Sequence, residues 1–128
     1  MRLLLDTHAF LWLDSEPEKL SLIARSACED PANELCLSVV SAWEIQIKKQ
    51  LGRLHLEVAL EEIIKTQQEN NGLLLIPVEI EHIYALDKLP LLHNDPFDRL
   101  LLAQAYAQQA AMISVDSRFK QYPVNIIW

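Results

Sequence analysis

The chain is short of glycine, cysteine and positive charge, and each shortage removes a class of protein. Only two glycines, in a sequence half of whose residues are hydrophobic, argue against long disordered segments. Two cysteines, Cys28 and Cys36, have no CxxC spacing and are too few for a zinc site. They read as small buried hydrophobes in a reducing compartment. No pair of the four histidines has zinc-ligand spacing either. Eleven basic against eighteen acidic residues, a net charge of -7, argue against a generic nucleic-acid coat, which would be basic. Long apolar runs are missing too. The apolar start, Leu3-Leu4-Leu5, is broken by Asp6 and Asp14, which fits neither a signal peptide nor a membrane span, and a cytoplasmic protein is expected. Without repeats, low-complexity tracts or linkers, the 128 residues read as one domain, 1–128.

What is present is an alternation of short apolar runs and helical patterns. Arg2–Asp6 reads as a buried strand, followed by a polar turn over Asp14–Lys19. Leu20, Leu22, Ile23 and Ala27 are spaced for a helix ending near Asp30-Pro31. Glu34–Val40 reads as a strand. Ser41 reads as the N-cap of a helix reaching Leu51, with Gly52 as its stop, and a second helix runs from about Glu57 to Asn71 before Gly72. Leu73–Val78 is a strand and Glu79–Asp87 a short helix. Asp95 and Pro96 supply N-cap and N1 of a helix to about Ala110; Ala111–Val115 and Val124–Trp128 are the last strands. This order predicts an α/β fold with a mainly parallel central sheet flanked by helices on both faces.

Four carboxylates, Asp6, Glu44, Asp98 and Asp116, fall where these strands end or helices begin. In a parallel α/β sheet such places meet at one edge. Each has a bland alternative: a turn or cap for Asp6 and Asp116, a capping box from Ser41 for Glu44, a favourable helix-dipole position for Asp98. Together they point to one pocket, where four acids would repel each other unless a cation neutralised them. Hard oxygen donors suit Mg²⁺ or Mn²⁺, and with it chemistry on phosphate esters. The acidic net charge is compatible with that, since several acids would belong to the site.

Leu3-Leu4-Leu5-Asp6-Thr7-His8 and Ser38-Val39-Val40-Ser41-Ala42-Trp43-Glu44 resemble the first half of a PIN domain. His93-Asn94-Asp95-Pro96-Phe97-Asp98-Arg99 and Ser114-Val115-Asp116, with Phe119 and Tyr122, resemble the second half, especially in VapC-type toxins of toxin–antitoxin pairs. The resemblance covers nearly the whole chain. It implies a Mg²⁺- or Mn²⁺-dependent endoribonuclease whose acids match Asp6, Glu44, Asp98 and Asp116, with Thr7 and Ser114 at supporting hydroxyl positions. It also implies a homodimer and a small antitoxin whose basic or apolar tail covers the acids.

Hydrolysis of an RNA phosphodiester is then expected, leaving a 5′-phosphate and a 3′-hydroxyl. Basic residues must offset the acidic field along the RNA path. Lys48, Lys49 and Arg53 form one candidate set and Arg99, Arg118 and Lys120 another, Arg99 standing out because it follows Asp98. His8 is a candidate pocket-lining residue, and His93 is expected to shape the loop before Asp95. A silent PIN-like module that binds RNA or protein is the alternative, separated by metal-dependent cleavage. A phosphoacceptor domain fits poorly, because Asp6 has no adjacent acid and the late strand leads into Asp116 where a lysine is wanted.

Overall fold

Three consecutive leucines can alternate faces and stay buried only in a strand covered on both sides. In the computed structural model, which describes residues 1–128, they do so: Leu3 and Leu5 point into one core and Leu4 into the other. This strand, β1 (Arg2–Leu5), is the centre of a five-stranded sheet with β2 (Glu34–Ser38), β3 (Leu74–Ile76), β4 (Ala111–Ile113) and β5 (Ile126–Ile127). The order is β3-β2-β1-β4-β5 and every pairing is parallel. The chain winds outward from β1 to β3, then crosses to the other side for β4 and β5. The order therefore reverses between β1 and β4, where open α/β sheets place their ligands, beyond the carboxyl ends of the strands.

Helices cover both faces. Against Leu3, Leu5, Leu35 and Leu37 pack α1 (Thr7–Ser15), α2 (Leu22–Glu29) and α4 (Leu60–Asn71), through Phe10, Ala24 and Ile63. Against Leu4, Cys36 and Met112 pack α5 (Ile80–Ala85) and α6 (Pro96–Gln108), with Leu101, Leu102 and Ala105 buried. α3 (Val39–Gln50) straddles the edge, giving Ile45 to one core and Val40 to the other. Both cysteines are free and buried, and burial pushes their thiols up, Cys28 to about 11, so neither is a ready thiolate. No helix is long and apolar enough to cross a membrane.

Local rules placed most boundaries. Asp95 caps α6 by accepting from the backbone N–H of Phe97 (2.8 Å) and Asp98 (3.2 Å), with Pro96 at N1. Gly72 ends α4 in the left-handed region (φ 64°). The main correction concerns β2 and α3. The β-branched pair Val39-Val40 prolongs the strand pattern, yet β2 stops at Ser38, whose hydroxyl accepts from the Val40 N–H (3.0 Å) and caps the helix there. Ser41 is thus no N-cap. It is a fully buried residue of the first turn, and Glu44 lies too far along the helix for a capping box. The helix expected from Leu20 begins instead at Leu22, with Ser21 as its cap (3.0 Å to Ala24 N–H). The sequence pattern does not delimit α1, because Ala9–Leu13 is an unbroken apolar run with no helical period.

α6 ends on Gln109, the one non-glycine residue with positive φ (54°), exposed and left-handed. Gln109→Gly should stabilise the protein by about 1 kcal/mol, because glycine carries no Cβ penalty there. Thermal denaturation checks this, with a higher melting temperature as the expected result.

Candidate active site

Asp6 is the first residue beyond β1 and the N-cap of α1. Its Oδ1 accepts from the Ala9 N–H at 2.7 Å, and its backbone N–H donates to the Ile113 carbonyl of β4 at 3.1 Å. Both the turn role and the convergent position are therefore real. Helix capping occupies Oδ1 and leaves Oδ2 outside the cap. Asp6 is only 6% exposed, and burial pushes its pKa up. The Ser114 hydroxyl, the Ala9 N–H and His8 oppose that rise, while nearby Asp116 adds to it.

The early start of α3 turns Ser41 and Glu44 toward α1. The Thr7 hydroxyl donates to Glu44 Oε1 at 2.6 Å and lies 3.1 Å from the Ser41 hydroxyl. Glu44 Oε2 is paired with Lys48 one helical turn later, at 2.9 Å. Its two oxygens are thus held by one hydroxyl and one ammonium.

Asp98 enters from the first turn of α6. Leu102, four residues on, is fully buried, so the inward face inferred from the sequence is the observed one. Burial, and then the neighbouring Asp95 charge, push the Asp98 carboxyl up to about 6; Glu44 also raises it, and His93 opposes the rise. His93, 8% exposed, places Nε2 2.8 Å from Asp98 Oδ2.

Asp116 lies three residues past β4. Ser114 accepts from its N–H at 3.1 Å and also lowers the Asp6 pKa, so one buried hydroxyl lies close to two of the acids. Asp116 Oδ1 accepts from the Arg118 N–H (3.0 Å), opening a 3₁₀ turn over Ser117–Gln121. The Arg118 guanidinium grips both carboxylate oxygens at 2.7 to 3.2 Å, and this hydrogen bonding holds the Asp116 pKa below its ordinary value.

All four acids line one cleft of about 410 Å³, with Thr7, His8 and Asp95 beside them. Five carboxylates there face two permanent cations, Lys48 and Arg118. A larger cavity of about 720 Å³ lies around Met1 and Asn125, at the opposite end of the strands, and contains none of the four. The cleft with the converging charges is the chemically meaningful one. Arg99 is not part of it: its guanidinium donates to the carbonyls of Pro90 (2.9 Å) and Leu86 (3.4 Å), clamping the loop before α6. Following Asp98 in sequence put it about one helical step around α6, away from the acid's face.

His93 was not legible as a member of the site. One of its ring nitrogens, an Asp98 oxygen and an Asp116 oxygen lie within 4.8 Å of one another, a group of three potential metal donors. The available signal was its place two residues before the N-cap of a helix whose N3 residue is an acid. The donor set fits a hard divalent cation: carboxylate oxygens from three elements, two of them buried enough to penalise their ionised form, which a bound cation would favour.

A PIN domain family model matches residues 3–125. The chain is 27% identical over 121 residues to Ribonuclease VapC22 of Mycobacterium tuberculosis, covering 93% of this chain and 90% of that protein. Among solved structures it resembles VapBC2 from Rickettsia felis, crystallised bound to a DNA fragment from its promoter (TM-score 0.69, 16% identity, 98% and 97% of the two chains). It also resembles VapBC-1 from nontypeable Haemophilus influenzae (TM-score 0.65, 17% identity, 98% and 96%). At these identities the two structures speak for the fold alone.

Proposed function

The chain belongs to the PIN domain family, and from that premise we propose that it is a metal-dependent endoribonuclease, the toxin of a toxin–antitoxin pair. The observation that carries this reading is the convergence of Asp6, Glu44, Asp98 and Asp116 in one cleft at the switch point of the sheet. Similarity to a ribonuclease over nearly the whole chain supports the substrate class, and a fold shared with chains solved as VapBC complexes is compatible with the partner.

Asp6, Asp98 and Asp116 would hold Mg²⁺ or Mn²⁺, with Glu44 beside them. The cation, when bound, neutralises the acids, polarises the scissile phosphate and favours deprotonated water at neutral pH. The chain's own residues do the rest. Ser114 supports the Asp116 backbone beside Asp6, Thr7 fixes the Glu44 carboxylate, and Glu44 takes a proton from attacking water. Lys48 and Arg118, already at the cleft, offer positive charge to the phosphates on either side of the cut. The hydroxyl of the RNA sugar is not required as nucleophile, so the products carry 5′-phosphate and 3′-hydroxyl ends. An antitoxin tail with a basic group would compete for the same carboxylates.

Incubation of the antitoxin-free protein with total bacterial RNA tests the reading, with Mg²⁺ or Mn²⁺ and with EDTA. Discrete cuts in metal alone, with the stated ends, are expected. Ends with 2′,3′-cyclic phosphate contradict the mechanism, and binding without cuts favours a silent RNA-binding module. Thr7→Val removes the hydroxyl that orients Glu44 and should lower the cleavage rate roughly 10- to 100-fold, the usual range for a residue that orients a metal-site carboxylate. Thr7→Ser keeps the hydroxyl and should retain most of the rate in the same assay.

A further inference from the structure

We infer that His93 is a positioning residue: its ring fixes the Asp98 carboxylate so that one oxygen stays free for a divalent cation. The inference rests on reading the acids as a divalent-cation site. The His93 ring is bonded at both nitrogens. The Asp95 backbone N–H donates to Nδ1 at 3.4 Å, so Nδ1 bears the lone pair and the ring proton sits on Nε2, 2.8 Å from Asp98 Oδ2. This tautomer follows from the hydrogen-bond network. Asp98 Oδ2 thereby accepts this N–H, and Oδ1 is the less encumbered oxygen for a cation.

The ring cannot easily turn away. It is buried, and its centroid lies 6.0 Å from that of Phe119, itself 1% exposed. Phe119 belongs to the 3₁₀ turn that Asp116 opens, so the imidazole wedges the start of α6 against the segment carrying the next acid. Asp95 anchors the same ring while its side chain caps α6 at the Asp98 N–H. One imidazole therefore sets both the orientation of Asp98 and its separation from Asp116, whose oxygen lies within 4.8 Å of the same group. The same nitrogen cannot at once donate to Asp98 and bind a cation, since an N–H has no lone pair to offer. That separates a positioning residue from a ligand.

Mn²⁺ titration of the full chain by calorimetry, for wild type, His93→Gln and His93→Ala, tests this without RNA. His93→Ala should weaken Mn²⁺ binding roughly 10- to 100-fold. His93→Gln, whose amide N–H can still reach Asp98, should recover most of that loss. Pulsed electron paramagnetic resonance of Mn²⁺-loaded wild type should show no nitrogen bonded directly to the ion. Unchanged affinity in His93→Ala overturns the inference, as does directly bonded nitrogen that vanishes in His93→Gln, which would make His93 a ligand. If His93→Ala does not fold, the glutamine variant and the wild-type resonance decide. A wild type that takes up no Mn²⁺ removes the cation-site reading and this inference together, whereas the other failures remove this inference alone.

Discussion

Asp6→Asn is expected to lower RNA cleavage by roughly 10³-fold or more while raising the melting temperature of the metal-free protein. The first effect follows from charge. Losing one preorganised electrostatic group commonly costs about 10²–10³ in rate, and a lost metal carboxylate weakens cation binding besides. The second follows from burial. Asp6 is pushed up in pKa because an ionised carboxylate at 6% exposure is poorly solvated, and Asp116 repels it. Asparagine keeps the carbonyl oxygen that accepts the Ala9 N–H, so the cap survives while the repulsion goes. A merely structural Asp6 predicts the reverse, with little loss of cleavage and a lower melting temperature. Cleavage rates with Mn²⁺ and thermal melts in EDTA, on one preparation, separate the two.

That opposition of signs marks how the acids could be read from sequence. Leu3-Leu4-Leu5 and Met112-Ile113 demanded buried parallel strands, and an acid just past each could lie only at the carboxyl edge. Asp95-Pro96 fixed the start of α6, and with it which way Asp98 faces relative to Leu102. These inferences work because period and capping are local. What was not legible depends on side chains meeting across elements. Thr7 with Glu44, Ser114 between Asp6 and Asp116, and His93 against Phe119 are separated by 37, 108 and 26 positions in the chain. Arg99 lies outside the cleft for the same reason in reverse, since a neighbour in sequence points elsewhere on a helix. The Ser38–Ser41 shift arose because two β-branched valines favour a strand, and only the β2 register with β3, ending at Ser38–Ile76, and the Ser38 cap override that preference.

Removal of divalent cation should give the protein a pH-dependent stability that the cation then masks. Folding raises the Asp98 carboxyl from its ordinary 3.8 to about 6. Between those values the folded chain keeps a proton that the unfolded chain has released, so stability falls as pH rises through the window and the full cost stands above it. That cost is of order 2–3 kcal/mol for Asp98, and burial of Asp6 acts in the same direction. Asp116, held low by Arg118, contributes stability that is lost only as pH drops below the ordinary carboxylate range, outside this window. In EDTA the melting temperature should therefore be higher near about pH 5 than near about pH 7.5. A cation at about 100 times its dissociation constant adds about 2.7 kcal/mol, which for a chain of this size is roughly 10 °C. The gain should appear near neutral pH and shrink toward pH 5, where protons compete for the same oxygens. Asp98→Asn should flatten the metal-free profile. Melts with EDTA or Mn²⁺ at the two pH values check all of this, and a cation effect of equal size at both would mean that the ion binds somewhere other than these carboxylates.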